Sequence, residues 1–131
     1  RQDFEGAYYG MYFLELADYC TRENNDEREV LKLLYQSLRA LTVKSIPRRL
    51  VRCIYEIRLI VANGEFPGLP QGNFSETVLY AVEFIAGTPV EKLYTFTLKE
   101  EVLAELVKIT EKYRRDFLPG EFHTLEILET L

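Results

Sequence analysis

"IPRRLVRCIYEIRLIVANGEFPGL", residues 46–69, decides the fold. Pro47 is tolerated only in the first turn of a helix, so a helix begins near Ser45 or Ile46. Behind it Leu50, Cys53, Ile54, Ile57, Ile60 and Val61 recur at helical spacing and make one wide apolar face. At about 100° per residue, Arg48, Arg52 and Tyr55 fall on the opposite side, together with Leu59. Asn63-Gly64 is an ordinary C-terminal stop. The stretch that follows holds Gly68, Gly72, Pro67 and Pro70, and Ser75 closes it as the N-cap of the next helix.

The same reasoning extends in both directions. Upstream, residues 3–20 read as a helix, with Phe13, Leu16, Ala17 and Cys20 at helical spacing and Tyr9 and Tyr12 close by. "TRENND" (21–26) is a polar break. Asp26 followed by Glu29 resembles a capping box, and Val30, Leu31, Leu34, Leu38 and Leu41 mark one face of a second helix. Downstream, Val78, Ala81, Val82 and Ile85 face one way until Gly87. Thr88-Pro89 with Glu91 opens a very short helix. "LYTFTL" (93–98) has no partner strand and reads as an extended link. Thr97 and Glu100 form another capping box for a helix reaching about Phe117, with Leu103, Leu106, Ile109 and Tyr113 among its core residues. Lys112, Arg114 and Arg115 suit the dipole of its last turns. Pro119-Gly120 ends it, and "FHTLEILETL" is an apolar tail, helical or half-ordered. The reading is all-α: a compact bundle of about five helices with one-turn pieces and one Gly/Pro-rich loop. Residues 1–131 form a single helical domain.

The 131 residues are 47% hydrophobic and 28% charged, enough for a sizeable core and a polar surface. No apolar run approaches the roughly 18 residues needed to span a membrane. The chain opens on Arg1 with no signal-peptide pattern, and reads as the C-terminal part of a longer cytoplasmic protein. Cys20 and Cys53 sit on apolar faces and are too few for a four-ligand zinc site. His123 is the only histidine and has no nucleophile motif beside it. The glycines of the loop follow a helix rather than a strand and lack the lysine of a phosphate cradle. No catalytic residue, cofactor or metal is expected.

Net charge is −5, but it is unevenly spread. Residues 39–58 carry six cations, among them Lys44, Arg48, Arg49, Arg52 and Arg58, against Glu56 alone. That window is +5, leaving −10 for the rest. Such a face suits an acidic peptide or a nucleic-acid backbone, or is simply a solvated helix side.

The order of segments resembles a known family. "YYGMYFLELADYCTREN" and "VLKLLYQSLRAL" resemble the opening of the helical C-terminal domain of RecO, the bacterial recombination mediator. "IPRRLVRCIYEIRLIVANGEFPGL" resembles that family's F-E-L-R-L-L helix and G-Y-x-P-x-L turn, with Tyr55 to Ile60 in the helix and Gly64, Pro67 and Leu69 in the turn. Glu65 stands where the family has Tyr. "FIAGTPVEKLYTFTLKEEVLAELVKITEKYRRDFLPGEFHTLEIL" resembles the ending, with its P-x-E-K-L step and its closing L-K-S-L-x-x-L. Phe122, Thr124, Leu125 and Leu128 match the closing part, with His123 in the Lys place. Many relatives insert a four-cysteine zinc module after the turn; this chain has no cysteine there, so the metal site is expected to be absent.

The resemblance implies a non-catalytic, bacterial, nucleoid-associated DNA repair and homologous recombination mediator. It implies binding to single- and double-stranded DNA, mainly through an N-terminal oligonucleotide-binding barrel, and to RecR. It also implies capture of the acidic, Phe-ending tail of single-strand-binding protein, and RecA loading. The cations for that tail are sought in Lys44, Arg48, Arg49, Arg52 and Arg58. Arg58 alone matches the family pattern and is either a contact or a structural, paired residue. The competing reading is a generic all-helical protein-interaction domain of unrelated function.

Overall fold

The structure is a computed structural model describing residues 3–22 and 26–131, so residues 23–25 of the polar break lie outside it. Six α-helices and one turn of 3-10 helix appear among the described residues, with no strand. They are α1 (Phe4–Arg22), α2 (Glu27–Ala40), α3 (Arg48–Ala62), α4 (Glu76–Gly87), a 3-10 turn (Val90–Lys92), α5 (Glu100–Phe117) and α6 (His123–Thr130). The sixth α-helix is the apolar tail, which is helical. Of the link expected to be extended over 93–98, residues 93–95 are a turn and bend that continue the 3-10 turn, and the chain has no regular structure from 96 to 99.

Local chemistry sets most boundaries. The Asp26 carboxylate accepts from the backbone N–H of Arg28 and Glu29, and the Ser75 hydroxyl accepts from Val78 N–H. At the end of α3, Gly64 N–H bonds Val61 C=O and Glu65 N–H bonds Ile60 C=O. This paired closure needs a left-handed residue, and Gly64 provides it at φ 77°. Two expected caps are not made. The N-cap of α5 is Lys99, not Thr97, and that of the 3-10 turn is Pro89, not Thr88; neither has a side-chain bond. Phe96 and Leu98 pack against the core, which keeps the chain extended past Thr97.

α3 is the axis of the molecule. It packs against α1, α2, α4 and α5, while α6 closes on α1. Nine of its fifteen residues are buried, on both the side expected to face the core and the side expected to face water. Tyr55 is a correction: it is fully buried, stacks on Phe13 with ring centroids 4.2 Å apart, and donates its hydroxyl to Phe13 C=O at 2.5 Å. Leu59 is also fully buried. A helix apolar on most of its circumference belongs inside a bundle.

Candidate partner-binding site

The five cations singled out in the sequence fall into three places. Lys44 lies exposed in the α2–α3 connection and, with Arg48, lines a cleft of about 630 Å³ floored by Leu38, Leu41 and Ile46. Arg48 is engaged within the fold. Its Nη1 donates to Asp3 Oδ1 at 2.9 Å and to Glu5 Oε1 at 3.2 Å, and its Nη2 also bonds Asp3. The Arg48 guanidinium, followed by the Gly6 N–H, holds the Asp3 carboxyl down to about 2. Lys44 has no ion-pair partner among the described residues.

Arg49 and Arg52 line a second groove, of about 310 Å³, whose apolar wall includes Tyr9, Val107, Leu128 and Leu131. Arg49 is half-exposed, and the ion pair found for it, to Glu100, is long at 3.9 Å. Arg52 points inward. Its Nε donates to Glu56 Oε2 at 3.0 Å, and its guanidinium carbon sits 5.2 Å from the centre of the Tyr12 ring. Nη2 of Arg52 is buried with no hydrogen-bond partner among the described residues; the adjacent Tyr12 face offers it a cation–π contact instead. Arg58 is elsewhere, at the other end of α3. It donates to the C=O of Ile85 and of Thr88 and so closes the C-terminus of α4. Burial pulls its pKa below the usual arginine value.

At the bottom of the second groove lies a centre that sequence reasoning missed. Glu56 is fully buried. Its Oε2 accepts from the Tyr12 hydroxyl at 2.5 Å as well as from Arg52, and its Oε1 accepts from Arg114 Nη1 at 3.1 Å. Nη2 of Arg114 reaches Glu129 Oε2 at 3.3 Å. The Glu56 carboxylate thereby ties α1, α3 and α5 together, and Arg114 carries the link on to α6. Burial, then the neighbouring Glu56 charge, drives the Tyr12 hydroxyl far above its ordinary pKa, so it stays a donor. Arg114 does not serve the dipole of its own helix end; it is turned inward. The hints in the sequence are an acidic residue embedded in an otherwise apolar run and its spacing of four from Arg52. No group of His, Cys, Asp and Glu able to hold a metal occurs among the described residues.

The family model for the C-terminal domain of recombination protein O matches residues 1–72, more than half of the chain and all five cations. The chain belongs to the RecO C-terminal family. In RecO terms the match covers α1 to α3 and most of the Gly/Pro loop, including the F-E-L-R-L-L-like stretch that holds Glu56. Neither a curated protein nor a solved structure matches the chain. Among the described residues no helix is long and apolar enough to cross a membrane.

Proposed function

We propose that this RecO-type helical domain acts without catalysis, by contact, as part of a bacterial recombination mediator. Its proposed partners are the acidic tail of single-strand-binding protein, RecR, and single- and double-stranded DNA. DNA contact rests mainly on an N-terminal barrel, and RecA loading is the outcome. The proposed compartment is the cytoplasm, at the nucleoid. Family membership supports this reading, together with one feature of the site: half-exposed Arg49 stands at the mouth of a mixed groove, where Tyr9, Val107 and Leu128 offer apolar surface, Glu5 and Glu111 also line the wall, and Arg52 and Arg114 are already paired with Glu56. A Phe-ending acidic tail needs an apolar seat for the ring and a nearby cation for its carboxylate. The groove is at the small end for ligand sites and has room for one anchoring side chain. Arg49 supplies the cation; Lys44, exposed at the neighbouring cleft, is a second one, while Arg48 is held by Asp3 and Glu5. Arg52 shapes the groove floor, and Arg58 is assigned a structural part.

The test is a titration with a labelled acidic peptide ending in Asp-Phe. The expected result is saturable binding that weakens with salt and falls on Arg49→Glu and Lys44→Glu. A domain that ignores this peptide, or binds it equally after both substitutions, fits the generic interaction domain instead.

A further inference from the structure

The Gly/Pro loop and α5 enclose a separate groove, of about 620 Å³. The loop is fastened across α5 at two points. The Tyr113 hydroxyl donates to Gly68 C=O at 2.7 Å, and the Ser75 N–H and hydroxyl bond the Glu105 carboxylate at 2.9 and 2.7 Å. The walls are apolar, supplied by Pro67, Leu69, Pro70, Phe74 and Phe117. Leu69 is 44% exposed, a large apolar side chain left in water. The rim is cationic, with Lys108, Lys112 and Arg115 exposed along α5. A single acid stands among them, Asp116, bonded to Lys112 at 2.8 Å. Lys108 and Arg115 have no ion-pair partner among the described residues. A locally positive groove in a chain of net charge −5 is a strong skew.

We propose that this groove docks an extended acidic peptide segment in which acidic and apolar residues alternate. The three cations stand at i, i+4 and i+7, so they are separated along the helix by about 6 Å and then about 4.5 Å. An extended chain returns a side chain to the same edge every second residue, about 6.6 Å apart. Two successive acids on one edge therefore match Lys108 and Lys112, with Arg115 free to reach a third, while the residue between them turns toward Leu69 and Phe74. Pro67 and Pro70 offer no N–H for strand pairing, so side chains carry the recognition. A nucleic-acid strand is the poorer match. A long polyanion meets the repulsion of the whole acidic chain, whereas a short segment sees the local cations.

This site is distinct from the Arg49 groove, and its probe lacks the tail chemistry. A fluorescent peptide of about eight residues, alternating Asp and Leu and blocked at both ends, is titrated into the domain by anisotropy. Oligothymidine of similar length is the second arm. The parent is expected to bind the peptide saturably and the oligonucleotide weakly. Lys108→Glu with Arg115→Glu should weaken peptide binding about tenfold, as two exposed charge contacts become repulsive. Leu69→Asp should weaken it independently, and Lys92→Glu, outside the groove, should leave it unchanged. Far-UV circular dichroism confirms that the variants remain folded. The proposal is overturned by a parent that does not bind the peptide, by groove variants that bind as the parent does, or by oligothymidine alone responding to them.

Discussion

Glu56 has no exposed surface and still meets two arginines and a tyrosine. A buried pair of this kind contributes little over an apolar substitute, but removing one member leaves uncompensated charge. Glu56→Ala is expected to cost about 3–5 kcal/mol in urea unfolding, and Tyr12→Phe about 1.5–3 kcal/mol, the value of a hydrogen bond to a charged group. A Glu56→Ala loss below about 0.5 kcal/mol, the scale of a surface change, would rule the network out. The residue-scale electrostatics also set a pH signature at Asp3. Its folded pKa is depressed, so its stabilising pair with Arg48 is fully present above the ordinary value near 3.8 and lost as pH falls through about 2. A carboxyl NMR titration of Asp3 with a midpoint near 3.8 would contradict the pairing. Only the Arg52–Glu56 pair, four residues apart on one helix, was within reach of the sequence. Tyr12 and Arg114 are 44 and 58 residues from Glu56, and local patterning carries no information over such spans.

Helix ends were legible where one residue meets its own turn. Asp26, Ser75 and Gly64 behave as their types require, because cap chemistry is settled within four residues. Thr97 has the same chemistry but loses to packing, since Phe96 and Leu98 are held by the core. Faces were legible in part for helices with one wet side: on α2 Val30 and Leu34 are buried as expected, but Leu31, placed with them, is exposed and Leu33 takes the core position. α3 is covered on several sides, so the angular argument that put Tyr55 in water failed, while of the core positions it named Leu50, Cys53, Ile54, Ile57 and Ile60 are buried and Val61 is partly buried. Gly64→Ala should lose about 1–2 kcal/mol from the left-handed backbone alone, since no atom lies within 4 Å of the added methyl. Ser75→Ala should lose about 1 kcal/mol through its cap. Both are read from thermal unfolding, and a neutral Gly64→Ala would contradict the closure of α3.

At the scale of the molecule, one continuous core reaches from Tyr9 to Leu128 and encloses both cysteines. Burial pushes the Cys53 thiol up to about 12, so it carries almost no thiolate at neutral pH. Cys53 should resist iodoacetamide in the folded protein and react once it is denatured, as followed by mass spectrometry. The same packing explains why the basic window looked like an open face. Of its site residues, Arg48, Arg52 and Arg58 serve the fold, and Lys44 and Arg49 remain at the surface. The most direct test of contact-based function is amide NMR mapping of the domain with an acidic peptide ending in Asp-Phe. Shifts are expected to cluster on Tyr9, Arg49, Arg52 and Leu128, and to fade with added salt. The absence of shifts there at saturating peptide would contradict the assignment.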